Sequence, residues 1–273
     1  MKEIITLLLL LLSSAAYSQE TYSGSIVDKN SKEIIPFINI GVVGKNIGTV
    51  SNNKGGFQIE LNEKYDNDTL KFSSIGYKTL IFKVSKFKNI ILNNPIIQLE
   101  EEITELQEVV VSSRKLKEKI LGNKTTSKKI SAGFTSNNLG NEVGIKIKIK
   151  KSPTYIEDFN FCIVRNEYDS IKLRLNFYDF KNGLPNKNIL KDNIIIVSQI
   201  KDGILNIDLR DYDIIVYEDF FVSLEWIENL GDEFGLTFSA GFLGSPIIFR
   251  STSQDYWQKK GAVSIGFNVT TKY

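Results

Sequence analysis

The chain has 273 residues, of which 42% are hydrophobic and 24% are charged, and its formal net charge is +2. This near-neutral balance gives no general attraction for nucleic acid. The sequence contains no histidine, which excludes a His-liganded zinc site and the Ser-His-Asp and Cys-His catalytic centres. Walker A and dinucleotide glycine motifs are also missing. We therefore expect a non-catalytic protein with no metal and no cofactor, and only a hydrolase that uses carboxylates alone remains open.

The amino terminus predicts a secretory signal peptide. An unbroken apolar run from Ile4 to Leu12 is too short to span a bilayer, and the small residues Ala16 and Ser18 fit the positions before a cleavage site. We expect cleavage after Ser18, and no lipoprotein anchor because no cysteine follows the run. No later segment has enough apolar residues for a membrane helix. The mature protein is thus expected in the periplasm, at the outer membrane or on the cell surface.

Residues 19–99 predict a small β-sandwich, because short apolar-alternating runs are separated by Gly and Asn turns. Pro36 opens a strand, the Asn52 to Gly56 segment tolerates the positive φ of a tight turn, and Gly76 predicts a bulge or bend that re-aims Tyr77. The seven expected strands span residues 22–28, 37–43, 49–51, 57–61, 69–74, 78–84 and 90–99. The expected core consists of Ile26, Ile38, Ile40, Phe57, Ile59, Leu70, Phe72 and Ile75.

Three segments in this region, Gly24 to Asp28, Ile35 to Ile40 and Gly48 to Lys78, together resemble the carboxypeptidase-regulatory-like domain. The resemblance covers roughly residues 21–99. It implies a transthyretin-like seven-stranded sandwich, which is common at the front of Bacteroidota envelope proteins and of TonB-dependent transporters. It implies an architecture rather than an activity. The residues that form its structural signature are Pro36, Gly48, Gly55, Gly56, Phe57, Phe72, Gly76 and Tyr77.

Residues 100–140 predict a strand followed by a basic linker. The strand resembles a Leu-x-Glu-Val-Val-Val segment that follows this domain in Bacteroidota proteins, and its residues are Leu106, Gln107, Glu108, Val109, Val110 and Val111. A β-branched run of this kind pairs either with a partner's sheet edge or with its own sandwich. The Arg114 to Lys129 run predicts a solvated linker, with peripheral contact to anionic lipid as the alternative.

The remaining residues, 141–273, return to β-pattern and predict a jelly-roll-like β-sandwich. Strict alternation at Ile145 to Ile149 and Ile171 to Phe177 indicates half-buried strands, and the Phe220 to Val222 run is apolar on both faces. Seven further strands are expected, at residues 154–164, 193–198, 203–209, 213–226, 234–240, 246–251 and 262–270. This half also resembles a C-terminal module of flavobacterial proteins, and a small outer-membrane β-barrel is the alternative.

Few residues of the second half qualify as a binding or catalytic site. Tyr256 and Trp257 are candidates for a sugar-stacking platform, whereas Trp226 lies in an apolar run and is expected in the core. The single cysteine, Cys162, is expected to be a buried hydrophobe. Paired carboxylates such as Asp219 and Glu225 need a known separation before catalysis can be argued. Two acidic loops, one with Asp66 and Asp68 and one with Asp208, Asp211 and Asp213, lack calcium-loop spacing and predict turns.

These observations support an exported envelope protein that acts by binding. The first hypothesis is an interaction or assembly module at the outer membrane, whose partner is another envelope protein. The alternative is a glycan-binding module of a polysaccharide-utilisation system.

Overall fold

The computed structural model describes residues 20–102, 116–134, 136–231 and 235–273. Its secondary structure is nearly all β-strand, which confirms the all-β prediction. None of the described helices is long and apolar enough to cross a membrane.

Among the residues described, the first sandwich contains seven strands, one α-helix and a short 3-10 helix at Glu63–Tyr65. The strands and the α-helix are β1 (Glu20–Asp28), β2 (Asn39–Val42), β3 (Gly48–Val50), β4 (Gly56–Leu61), β5 (Thr69–Ser73), β6 (Leu80–Lys83), α1 (Val84–Asn93) and β7 (Ile96–Leu99). A three-stranded sheet has the order β4-β1-β7, and a four-stranded sheet has the order β3-β2-β5-β6. Buried side chains from both sheets and from α1 form one core.

One strand of the first sandwich differs from its prediction. Residues 90–99 were expected to be a single strand, but α1 extends to Asn93 and β7 begins only at Ile96. The buried residues Val84, Phe87 and Ile91 have the three- and four-residue spacing of one helix face. Phe87 contacts the rings of core phenylalanines. The apolar residues of this segment therefore fill the core as one face of a helix, and not as one face of the predicted strand.

The turns of the first sandwich follow from glycine and asparagine geometry. Gly55 has φ +70°, and a Cβ there would lie 2.8 Å from the carbonyl oxygen of Ile26. The Asn52 side chain accepts hydrogen bonds from the backbone N–H groups of Lys54 and Gly56 at 2.8 and 3.0 Å. Together these features close the turn that leads into β4.

The second sandwich contains the remaining strands. They are β8 (Glu118–Gly122), β9 (Ser131–Gly133), β10 (Glu142–Ile147), β11 (Thr154–Asn166), β12 (Ile171–Lys181), β13 (Leu184–Asn188), β14 (Ile194–Ser198), β15 (Gly203–Asp208), β16 (Ile215–Val216), β17 (Phe220–Trp226), β18 (Leu236–Phe242), β19 (Ile247–Arg250), β20 (Gln258–Lys260), β21 (Val263–Ile265) and β22 (Phe267–Lys272).

Two sheets pack face to face in the second sandwich. Over the described ranges, the front sheet has the order β13-β12-β17-β10-β19-β20, with β14 also paired to β12. The back sheet has the order β21-β18-β11-β22-β8, with β15 and β16 on β11 and β9 on β18. A large apolar core draws side chains from both sheets. The described strands of this half therefore form two packed sheets, as a β-sandwich does.

The predicted basic linker is wrong for part of its length. Residues 118–122 form β8, which pairs antiparallel with β22, and residues 131–133 form β9, which pairs with β18. Leu121 is buried in the core of the second sandwich. The described part of this segment therefore belongs to the back sheet, because a backbone that completes a sheet edge satisfies its polar groups better than a free linker would. Residues 114 and 115 lie outside the described ranges.

Candidate binding cleft between the two sandwiches

A row of four charged side chains crosses the outer face of the front sheet. Cross-strand pairing places Arg174 opposite Glu225, Glu225 opposite Glu142, and Glu142 opposite Arg250. Because side chains alternate along a strand, the neighbours of these residues point into the apolar core while the charged row points outward. All four residues are nevertheless buried. Something must therefore cover this outer face.

The first sandwich covers the Arg174 end of this row, and Trp257 packs over Arg250 at the other end. The guanidinium of Arg174 donates hydrogen bonds to the carbonyl oxygen of Phe37 at 2.7 Å and to Asn39 Oδ1 at 2.6 Å. The same side chain donates from Nε to Glu225 Oε2 at 2.9 Å. Arg174 thus joins the front sheet to β2 of the first sandwich through charge-assisted bonds.

The two carboxylates are held by donors on their own sheet. Asn176 Nδ2 donates to Glu142 Oε1 at 3.0 Å and to Glu225 Oε2 at 2.8 Å. Arg250 forms an ion pair with Glu142 at 2.6 Å, and the Tyr178 hydroxyl donates to Glu142 Oε2 at 3.3 Å. Two glutamates and two arginines make the row neutral in formal charge, which is the condition for burying such groups.

Burial governs the protonation of this row. It raises the pKa of the Glu142 carboxyl, which Arg250 opposes and the neighbouring Glu225 charge reinforces. Burial also raises the pKa of the Tyr178 hydroxyl well above its usual range. Tyr178 therefore stays a neutral hydrogen-bond donor to Glu142.

A loop of the second sandwich, Ser251 to Trp257, contacts the four-stranded sheet of the first; we call it the docking loop. A Cβ on Gly41 would lie 2.2 Å from the carbonyl oxygen of Ser253, and one on Gly48 would lie 2.3 Å from the same atom. Only glycine allows so close a backbone approach. β2 and β3 therefore present a smooth patch shaped for this loop.

Hydrogen bonds fix the docking loop on that patch. The Gly44 N–H donates to the carbonyl oxygen of Gln254 at 2.9 Å, and Gln254 Nε2 donates to Ser73 Oγ at 2.8 Å. The Ser253 hydroxyl donates to Asn39 Oδ1 at 3.3 Å. Backbone and side-chain bonds therefore hold the two sandwiches together beside the charged row.

Next to this contact the two sandwiches enclose a cleft of about 860 Å³. The volume is within the range of small-molecule sites. Its floor is the outer face of the front sheet, and its walls come from the first sandwich and from the loops around β13 and β16. Lining residues include Lys71, Ser74, Thr79, Arg174, Asn176, Tyr178, Asn188, Lys191, Asp213, Arg250, Gln254 and Trp257.

Lys71 is the cation that the first sandwich contributes to this cleft. It is partly buried on the outer face of β5, opposite Gly41. Burial lowers the pKa of its ammonium group, and the positive charge of Arg250 lowers it further. Among the described residues no carboxylate lies within ion-pair distance of Lys71.

The two residues of the predicted sugar-stacking platform have different surroundings in the structure. Trp257 lines the cleft and packs edge-on against Tyr178 and Phe221, with ring centroids 5.8 and 5.3 Å apart. The Arg250 guanidinium lies 4.9 Å from the centre of its ring. Tyr256 is 59% exposed and is not among the lining residues. Of the two predicted platform residues, Trp257 lines the cleft and Tyr256 does not.

Other sequence candidates fall elsewhere. The predicted partner strand, Leu106 to Val111, lies outside the described residues. Of the structural signature, Phe57 and Phe72 are core residues, Gly76 has φ +81° and lines the cleft with Tyr77, and Pro36 is exposed.

The carboxylate candidates do not form a catalytic pair. Asp219 pairs with Lys146, whereas Glu225 lies six residues further along the same strand region, about 20 Å away at strand spacing. That separation exceeds the roughly 9.5 Å of an inverting glycosidase. In the acidic loops, Asp208 pairs with Arg210 and Asp66 with Lys88. Over the described ranges, no cluster of three or more His, Cys, Asp or Glu side chains is placed to hold a metal.

Sequence reasoning missed the main residues of the cleft. Arg174, Glu142 and Arg250 look like ordinary solvent-facing positions of alternating strands, and Lys71 looks the same. The one available signal in the sequence was the apolar run Phe220 to Val222, which does not alternate with polar residues. In the structure it belongs to β17, whose residues 220–226 are all buried. A strand buried on both faces requires a cover on each.

Comparison with known proteins gives one family match. Residues 22–111 match the family model of the CarboxypepD_reg-like domain. The match covers all but the first two residues of the first sandwich and ends with the segment Leu106 to Val111, and it supports the resemblance found in the sequence. This family suggests a non-catalytic β-sandwich module.

The other comparisons add no functional information. No curated protein matches the chain significantly. Among solved structures, the crystal structure of the infectious bursal disease virus VP2 subviral particle aligns with 92% of this chain at 9% identity and a TM-score of 0.30. The alignment covers 63% of the VP2 chain, which is less than two thirds of its length. A likeness at this TM-score carries no argument about function.

Proposed function

We propose that this chain is an exported, non-catalytic binding protein of the cell envelope that acts as an adaptor in protein interaction or assembly at the outer membrane. The observation that carries the proposal is the polar cleft of about 860 Å³ between two sandwiches that hydrogen bonds hold together. The match of residues 22–111 to a regulatory-like domain supports a binding role over a catalytic one. In this proposal the cleft receives a polar segment of an envelope protein.

Two matched tryptophan variants test the proposal. Thr79 is exposed and lines the cleft, so Thr79→Trp narrows the opening. Thr69 is an exposed residue of β5 in the same sandwich but is not a lining residue, so Thr69→Trp adds the same bulk elsewhere. The mature full chain is used as bait in pull-downs from envelope extracts of the source bacterium. A partner recovered by wild type and Thr69→Trp but lost with Thr79→Trp supports the proposal. Equal recovery by both variants, or no specific recovery, contradicts it.

Glycan binding is the second candidate, and the position of Trp257 favours it. Its indole ring borders the cleft among the side-chain amides of Asn176, Asn188 and Gln254, which is the combination of stacking and hydrogen-bonding groups that sugars use. The other tryptophan, Trp226, is 2% exposed in the core. Fluorescence of wild type against a polysaccharide panel therefore reports on Trp257, with Trp257→Phe as the blank. An unchanged spectrum across the panel would exclude this candidate.

A further inference from the structure

The charges around the cleft do not balance. Five basic side chains and three acidic ones line it. The basic residues are Lys71, Arg174, Lys187, Lys191 and Arg250, and the acidic residues are Glu102, Asp192 and Asp213. Arg174 is neutralised by Glu225, with which it forms a buried ion pair at 2.9 Å. Arg250 is neutralised in the same way by Glu142, at 2.6 Å. On the inner side of the cleft, Lys71 is therefore the cation that pairs with no carboxylate of the described residues.

Lys71 and Arg250 line the same cleft, Lys71 from the first sandwich and Arg250 from the second. The positive charge of Arg250 adds to burial in lowering the pKa of Lys71. Arg250 already binds Glu142, but its Nε is buried without a hydrogen-bond partner among the described residues. A buried donor left unpaired is costly, and so is a partly buried ammonium beside a second cation.

An oxyanion in the cleft offsets the cost of the partly buried Lys71 ammonium group. Carboxylate and phosphate oxygens accept charge-assisted hydrogen bonds from lysine and arginine, and arginine presents a planar set of donors that matches them. Ser73, Asn188 and Gln254 add polar groups at the same site or beside it. Trp257 and Tyr178 border the site and supply apolar surface for the rest of a ligand.

We propose that the cleft between the two sandwiches is an oxyanion-binding site, in which Lys71 of the first sandwich and Arg250 of the second hold the carboxylate or phosphate group of a small ligand or of a partner's side chain. Because the anion bridges the two sandwiches, it also strengthens their contact. This inference rests on the proposed function, since it names the chemistry that the same cleft recognises.

The test is isothermal titration of the mature full chain at low salt with three probes. Inorganic phosphate and galacturonate represent the two oxyanions, and galactose is the neutral counterpart of galacturonate. We expect at least one anion to bind, with an affinity that falls as salt rises, and we expect galactose to bind weakly or not at all. The probe that binds more tightly shows whether the site prefers a phosphate or a carboxylate group.

Lysine variants assign the binding to the cleft. Lys71→Met is expected to weaken anion binding by roughly tenfold or more, the scale of one charged hydrogen bond, and Lys71→Arg to restore most of it. Lys54→Met is the matched control, because Lys54 is exposed in a turn away from the cleft. Unfolding midpoints of all variants show that each is folded.

Three outcomes would overturn the inference: neither anion binds, galactose binds as tightly as galacturonate, or Lys71→Met binds as tightly as wild type. Each is distinguishable from failure of the proposed function. If Thr79→Trp still abolishes partner recovery while the anion titrations fail, only the oxyanion chemistry is wrong.

Discussion

Replacing Gly48 by alanine is expected to separate the docking loop from the first sandwich. The added Cβ would lie 2.3 Å from the carbonyl oxygen of Ser253 and 3.0 Å from that of Ile40. Both contacts are backbone atoms, so no flexible side chain can move aside. To restore ordinary van der Waals contact at 3.4 Å, the loop must retreat by about 1.1 Å.

The energetic cost follows from the bonds that such a movement disrupts. Three hydrogen bonds hold the loop on the turn after β2, on β5 and on β2, at 2.9, 2.8 and 3.3 Å respectively. Each contributes about 0.5–1.5 kcal/mol, and overpacking by one methyl typically costs about 1–3 kcal/mol. If the loop retreats and all three bonds are lost, we expect the free energy of unfolding to fall by about 1.5–4.5 kcal/mol.

Urea unfolding followed by tryptophan fluorescence measures this effect. Trp257 reports on the contact between the sandwiches and Trp226 on the core of the second. Gly261→Ala is the matched control, because a Cβ there meets no atom within 4 Å, and it should change stability by less than about 0.5 kcal/mol. If Gly48→Ala unfolds at the same urea concentration as Gly261→Ala, the docking loop does not hold the sandwiches together as described.

Three further predictions test the buried groups. Arg174→Met should lower the free energy of unfolding by about 3–5 kcal/mol, because it leaves Glu225 buried without its ion-pair partner. In urea unfolding, the double variant with Glu225→Met should lose less stability than Arg174→Met alone. A larger loss in the double variant would refute the pairing. Asp28 accepts two backbone N–H bonds at 2.7 Å, which lower its pKa, so its contribution is present above the unfolded-state pKa of about 3.9 and is lost as pH falls through the lower folded value. Unfolding midpoints should therefore drop on acidification less steeply for Asp28→Asn than for wild type, and parallel curves would contradict this. Cys162 is 4% exposed and burial raises the pKa of its thiol, so a thiol reagent should react slowly with the native protein and with one group per chain in urea; rapid native reaction would show that the site opens.

Local sequence patterns predicted the turns and most strands correctly. Gly55 has the positive φ expected of it, and the alternation at residues 171–177 matches the first part of β12. Most of the expected first core is buried, including Ile38, Ile40 and Phe72. Ile75 is the exception, since it is only partly buried and lines the cleft. These predictions succeeded because turn conformation and strand alternation depend on residues a few positions apart.

The helix α1 and the strand β8 show where local reasoning failed. The stretch around Ile90 is apolar and β-branched, so it is compatible with a strand as well as with a helix, and only its packing against Phe72 and Phe57 selects the helix. In β8, Leu121 is a single buried residue in a basic run, and its strand exists because β22 offers an edge to pair with. Both outcomes depend on distant partners.

By itself, the sequence determined an all-β chain with a regulatory-like sandwich in front, a second sandwich behind it and no histidine chemistry. Only the tertiary structure decided that Arg174, Glu225, Glu142 and Arg250 form one buried row on the outer face of the front sheet. It also placed Lys71 and Arg250 in the lining of one cleft. The reason is physical. A charged residue on an alternating strand gives the same sequence pattern whether its side chain faces water or another domain. Contacts between strands and between the two sandwiches join residues up to 214 positions apart. Such contacts leave no pattern in the local sequence.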